Sequence, residues 1–156
     1  MTHIVSSIVL PQSPEQVFDF VTAPAHWPRW HPASLTVDAS DTRSFGIGEQ
    51  VCENVAVGGY RGRVLWTVRE CQRPSRWLIT GQAERGGGRA TLRYDLVAEG
   101  SGARFTRTLD YRMPNLFMGL MDGLFIKRRM VKQSNQALER LRDVLGKART
   151  SKHAVD

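Results

Sequence analysis

From Pro114 to Arg149, apolar residues recur at Phe117, Leu120, Met121, Leu124 and Phe125, and again at Val131, Leu138, Leu141 and Leu145. Intervals of three and four put them on one side of an α-helix, so the spacing predicts one helix of about ten turns. Its apolar stripe has to be buried. The preceding text offers one surface large enough, because apart from a short helical patch it reads as strands divided by tight turns. A run of hairpins ending in one long amphipathic helix predicts an α+β domain in which a curved antiparallel sheet wraps around that helix.

The order of elements follows from the punctuation. Residues 3–10 alternate, with Ile4, Ile8 and Leu10 set against Val5, Ser7 and Val9, which predicts a first strand. Ser13 suits an N-cap, Pro14 suits the first helical position, and Glu15 and Asp19 lie near the positive end of the helix dipole. Val17, Phe18 and Val21 give that short helix an apolar face. Pro24 and Pro28 interrupt it, and Trp27 and Trp30 fall in a second short helix. Six strands then follow between Ser34 and Arg112, making seven in all. Gly58-Gly59 is the strongest hairpin signal, since both positions of the favoured two-residue turn need positive φ. A two-residue turn there sets Val57 opposite Tyr60, Glu53 opposite Val64, Cys52 opposite Leu65 and Val51 opposite Trp66. Pairing across Gly86-Gly87-Gly88 and Gly100-Ser101-Gly102 sets Trp77, Ile79, Gly81, Ala83, Ala90, Leu92, Tyr94, Leu96, Phe105, Leu109 and Tyr111 on one face. Arg89, Arg93, Asp95, Arg104 and Thr106 fall on the other.

Composition narrows the function classes. Lys and Arg outnumber Asp and Glu by 22 to 15, a net charge of +7, which raises nucleic acid or an anionic membrane as partners. The positive residues are scattered, however, with one dense group at Lys127, Arg128, Arg129 and Lys132. No zinc-finger spacing, RNA-binding aromatic signature or basic tract interleaved with aromatics is present, so nucleic acid is not expected. Cys52 and Cys71 lie about six residues apart along paired strands, roughly 20 Å, and a disulfide does not fit that gap. No apolar run reaches the ~20 residues of a transmembrane helix, and the start lacks the pattern of a signal peptide. The expectation is a cytoplasmic protein with one domain over 1–149 and a disordered tail over 150–156. Oligomeric state is not legible.

At Leu10-Pro11-Gln12-Ser13-Pro14-Glu15-Gln16-Val17-Phe18 the chain resembles the START-like, or SRPBCC, superfamily, which includes the birch-pollen allergen, lipid-transfer domains and polyketide cyclase/dehydrase-like proteins. The resemblance continues through Pro24, Trp27 and Trp30-His31-Pro32, Gly46-Ile47-Gly48-Glu49, the stretches 68–77 and 100–108, and Leu138-Glu139-Arg140-Leu141. Ala23 departs from it, standing where an aspartate usually precedes the proline. The resemblance implies the helix-grip fold, a seven-stranded sheet around a C-terminal helix with two short helices between strands one and two. It also implies a long pocket between sheet and helix for an apolar small molecule, and it leaves activity open.

The candidate functional residues are those turned toward that pocket. Trp66, Tyr94 and Tyr111 lie on the inward face and suit stacking on an aromatic or polycyclic ligand. Phe117, Met121 and Phe125, with Met113 and Met118, make the first half of the last helix richer in adaptable apolar side chains than plain packing needs. Trp30 and His31 fall at the rim, with Trp30 favoured as a structural plug. Glu53, Glu70 and Arg107 also read as inward, Glu70 escaping to solvent at its strand end. For Glu53 and Arg107 an unpaired buried charge is costly, so they pair, bind water or hold a polar group of a ligand. Neither cysteine reads as inward, no nucleophile elbow is present, and the histidines lack metal-ligand spacing, so neither metal nor cofactor is expected. Gly119 and Gly123 weaken the helix by about 1 kcal/mol each, read as close packing on the sheet or as a mobile lid. The sequence thus favours binding of a hydrophobic small molecule such as a lipid or polyketide. A polyketide cyclase/dehydrase-like enzyme using the same pocket is the first alternative. Lipid transfer, with the basic helix face docked on an anionic membrane or another polyanion, is the second.

Overall fold

The computed structural model describes residues 1–112 and 120–153. Seven strands, β1 (Thr2–Leu10), β2 (Ser34–Val37), β3 (Gln50–Val57), β4 (Tyr60–Gln72), β5 (Arg76–Ala83), β6 (Arg89–Glu99) and β7 (Gly102–Arg112), form one antiparallel sheet. Its spatial order is β1-β7-β6-β5-β4-β3-β2. The first two strands therefore occupy opposite edges. The segment joining them crosses the sheet through α1 (Pro14–Val21), a 3₁₀ turn (Pro24–His26) and α2 (Trp27–Trp30). The long helix α3 (Leu120–His153) packs on the same side and runs past Arg149, where the sequence reading ends the domain.

Local chemistry accounts for these elements. Ser13 caps α1 in a capping box: its Oγ accepts the backbone N–H of Gln16, and Gln16 Oε1 accepts the N–H of Ser13. Val17, Phe18 and Val21 are buried against the sheet. Gly58 and Gly59 both have positive φ, 59° and 96°, the signature of a type I′ turn. They produce the predicted pairings of Val57 with Tyr60, Glu53 with Val64 and Val51 with Trp66. Gln133 then fastens this hairpin to α3, donating to the Ala56 carbonyl (3.1 Å) and accepting the Gly58 N–H (3.2 Å).

The inward face of the sheet resolves into rows of paired residues. One row runs Ser6, Arg107, Tyr94, Trp77, Cys71; the next Ile4, Leu109, Leu92, Ile79, Val68; the next Thr2, Tyr111, Ala90, Gly81, Trp66, Val51. Most of these side chains are buried, and together with α1, α2 and α3 they form one hydrophobic core.

Two expectations need correction. The register of β4 shifts at a bulge between Val68 and Glu70, so Glu70 pairs with Leu78 and Cys71 with Trp77. The extra residue exchanges the two faces beyond that point. Cys71 turns inward against the core and Glu70 sits on the outer face, the reverse of a bulge-free reading. The apolar stripe of α3 is also displaced. Leu124 and Phe125 are 57% and 63% exposed, whereas Met130, Ser134, Ala137, Leu138, Leu141 and Leu145 are buried. Among the described residues, nothing lies within 4 Å of where a Cβ of Gly123 would stand, so packing against them does not explain that glycine. Gly119 lies outside the described residues.

Candidate functional site: a cavity between sheet and helix

A cavity of about 750 Å³ lies between the inward face of the sheet and α3. Its walls are largely aliphatic and aromatic: Val55, Val64, Leu92, Leu109, Trp66 and Tyr111 from the sheet, with Ile126 and Met130 from the helix. At one end stand the β3–β4 turn, the β5–β6 turn and Phe125. At the other stand Trp27, Trp30 and His31 from α2 and its C-terminus, together with Tyr94 and Arg107. From Arg107 to Arg112 along β7 the distance is roughly 17 Å at about 3.3 Å per residue.

The closed end is an aromatic cluster. Trp27 meets Trp66 and Trp77 edge to face, with centroids 6.5 and 6.2 Å apart, and Trp77 stacks on Tyr94 at 5.5 Å. Trp30 packs against Tyr94 and Phe105. Trp66 can lie flat across β5 because its partner there is Gly81: a Cβ at that position would stand 2.5 Å from the indole ring. The pairing of Trp66 with a glycine therefore sets the width of the cavity floor.

Four polar side chains are set into this apolar surround. Glu53 is 7% exposed, and its Oε2 accepts the indole N–H of Trp66 at 2.7 Å. Burial pushes its carboxyl above the usual range, opposed by hydrogen bonds from Ser34 and Trp66 and then by the charge of Arg107. Arg107 is 6% exposed; its Nη1 donates to Ser134 Oγ on α3 at 3.0 Å, while its Nε is buried with no acceptor. Tyr94, opposite Arg107 in the sheet register, has its phenol pushed up to about 12 by burial, against the pull of the Arg107 charge. His31 accepts the Ala33 N–H at Nδ1 (3.1 Å), and its Nε2 is buried without a partner. Burial first, then the charges of Arg107 and Arg140, hold its imidazole well below the ordinary histidine range. His31 is therefore neutral at pH 7, and with Nδ1 accepting, the proton resides on Nε2.

Of the residues that sequence reasoning assigned to a pocket, Trp30, Glu53, Trp66, Tyr94, Arg107, Tyr111 and Phe125 all line this cavity. Phe117 and the side chain of Met121 lie outside the described residues. Trp30 is completely buried at the closed end, in the place of a plug.

Residues 1–146 match the family model described as polyketide cyclase/dehydrase and lipid transport. The chain belongs to that family. Solved structures carry the same fold at low identity. The Thermus thermophilus protein TTHA0849 superposes with a TM-score of 0.77 at 15% identity, covering 94% of this chain and 99% of its own. A START superfamily protein from Mycobacterium smegmatis gives 0.67 at 17%, covering 92% and 98%. Ara h 8.0201 gives 0.62 at 13%, covering 92% and 96%. No curated protein matches the chain. The helix-grip fold of this family is thus the fold seen here, with the long C-terminal helix gripped by the seven-stranded sheet. No described helix is long and apolar enough to cross a membrane.

Ile126 and Met130, which line the cavity, and Ser134, which holds Arg107 without lining it, escaped the sequence reading. Ser134 interrupts the buried stripe of α3 one turn after Met130 and one before Leu138, so a lone hydroxyl on the stripe was a readable signal. Ile126 and Met130 were hidden by the neighbouring Leu124 and Phe125, which are more apolar in pattern but largely exposed, Phe125 at the edge of the cavity. The orphaned nitrogens of His31 and Arg107 left no mark in the sequence, because pairing is a property of the packed state.

Proposed function

We propose that this chain binds a hydrophobic small molecule in the cavity between sheet and C-terminal helix. The observation that carries this reading is the cavity itself: about 750 Å³, within the ~300–1,000 Å³ range of small-molecule sites, with mainly apolar walls and a few convergent polar groups. Water in such a space makes few hydrogen bonds to its walls, and an apolar guest that displaces it gains about 25 cal/mol for each Å² of apolar surface removed from water. The aromatic closed end suits a polycyclic or unsaturated guest as well as an alkyl chain. Native mass spectrometry of protein purified from its own host tests the reading. The expected result is a stoichiometric adduct of a few hundred daltons that is lost on denaturation. Its absence, together with no binding of any apolar probe, sinks the proposal.

A second reading, that cargo is exchanged at an anionic lipid surface, is favoured by the charge around the mouth. Arg85, Arg89, Arg112 and Arg129 all line that end, and none belongs to an ion pair among the described residues. Six other arginines, 43, 63, 73, 76, 93 and 104, are paired with carboxylates elsewhere on the surface. Leu124 and Phe125 are exposed, and the Arg129 guanidinium lies over the Phe125 ring. Each basic residue near an anionic surface contributes about 1 kcal/mol at physiological salt, and the effect is screened by added salt. The expected outcome is sedimentation with phosphatidylserine vesicles but not phosphatidylcholine vesicles, abolished by Arg89→Glu with Arg129→Glu. Equal sedimentation with both lipids, or with neither, rules this reading out.

A further inference from the structure

The buried polar atoms without a hydrogen-bond partner that belong to cavity-lining residues are Trp30 Nε1, His31 Nε2 and Arg107 Nε. All three are nitrogens, and with His31 held neutral and its Nδ1 engaged, all three are N–H donors. Among the described residues, no buried unpartnered acceptor of a lining residue balances them. An orphaned buried donor costs about 1–3 kcal/mol, and a charged one more, so this one-sided excess points to something that supplies acceptors.

The charge is one-sided too. Arg107 is in no ion pair among the described residues, and its hydrogen-bonding neighbours, Ser134 and the Tyr94 phenol, are neutral. Glu53 makes no hydrogen bond or ion pair with Arg107 among the described residues, its Oε2 accepting the Trp66 indole N–H instead. Among the described residues, the cavity end therefore holds one guanidinium without a contacting counter-charge, where a low dielectric makes an opposite charge most valuable. The Nε side of a guanidinium is the side that receives a carboxylate edge-on. Arg73 shows this on the surface of the same molecule, gripping Asp19 through Nε (2.7 Å) and Nη2 (2.8 Å).

We propose that the closed end of the cavity is a carboxylate subsite, so that the ligand is an apolar molecule carrying one carboxylate received by Arg107 and His31. This rests on the hydrophobic-ligand reading and narrows it. A carboxylate balances the single guanidinium, whereas a phosphate dianion would leave a net negative charge in an apolar enclosure. His31 supplies an uncharged donor from the rim of α2, and Ser134 holds the guanidinium plane from the helix. The apolar body then extends past Leu92, Leu109 and Tyr111 toward the mouth.

Matched probes test it: dodecanoate against dodecanol, and pyrenebutyrate against pyrenebutanol, each titrated into the full-length protein by calorimetry or by quenching of tryptophan. The wild type is expected to bind each acid at least about tenfold more tightly than its alcohol, the scale of one charge-assisted hydrogen bond. In Arg107→Met that preference should vanish while alcohol binding persists. Arg107→Lys keeps the charge but not the fork, and should lose at least about threefold of the preference; it decides the matter if the methionine variant fails to fold. Equal affinity for acid and alcohol in the wild type, or a preference that survives loss of the fork, overturns the subsite while leaving the hydrophobic pocket standing. Failure of all four probes to bind overturns both.

Discussion

Glu53 shows how one residue can carry opposite stability effects at different pH. Its folded-state carboxyl is raised above the ordinary value of 4.5 by burial. A raised acid binds its proton more tightly when folded, so it favours folding most below pH ~4.5, and that contribution is lost as pH climbs through the folded value. Glu53→Gln keeps an oxygen acceptor for the Trp66 indole and cannot ionise. The expected outcome is a variant that gains stability relative to wild type as pH rises from 4 to 8, measured by urea unfolding at each pH. A difference that stays flat across that window would show that Glu53 does not titrate in a buried setting. Glu49 has the opposite sign. Its hydrogen bonds from Arg43 and from the Gly46 N–H hold it down to about 2, so its contribution is present above pH ~4.5 and fades only as acid approaches the lower value.

At the scale of elements, two glycines that look alike in the sequence behave in opposite ways. Gly123 sits on the exposed side of α3, and none of the described residues comes within 4 Å of where its Cβ would stand. Gly123→Ala therefore removes helix-breaking entropy with no clash, and is expected to stabilise by up to about 1 kcal/mol in thermal unfolding. Gly58 combines positive φ with a Cβ position 2.8 Å from Ile126. Gly58→Ala should destabilise by about 1–3 kcal/mol, because it both strains the I′ turn and pushes the hairpin off α3. The hairpin and the first turns of α3 flank the mouth of the cavity, so the same substitution should also weaken probe binding. If Gly58→Ala proves neutral, the clamp formed by Gln133 between hairpin and helix is not holding the mouth.

For the molecule as a whole, the division of labour is between a packed half and an open half. Leu138, Leu141 and Leu145 seal α3 onto the sheet, while Ile126 and Met130 border space. The cavity of about 750 Å³ opens at its mouth, so its space is filled by water or by a guest, and occupancy by a guest would be linked to stability. At a free probe concentration of one hundred times Kd the folded state should gain about 2.7 kcal/mol, visible as a rise in Tm that grows with the logarithm of concentration. A bound probe that leaves Tm unmoved would place its site on the surface or on the unfolded chain instead.

What the sequence determined by itself was everything governed by local periodicity and turn chemistry. The alternation of β1, the Ser13 cap, the Gly58-Gly59 turn and the face shared by Trp77, Tyr94, Phe105 and Tyr111 depend on residues a few positions apart, and they stand in the structure as read. From them came the α+β grip of sheet on helix and the inward aim of Glu53 and Arg107. The tertiary structure decided the rest. One extra residue at the β4 bulge turned Cys71 in and Glu70 out, a change too small for a period-two pattern to register. The burial of Met130 and Ser134 in place of Leu124 and Phe125 was set by where the helix meets the hairpin, since both sets satisfy a helical period. Above all, the cavity and its three unpartnered donors are differences between groups that found a neighbour and groups that did not. Pairing of that kind arises only when distant segments pack, which is why the chain could announce its fold and only its packed form could point to a ligand.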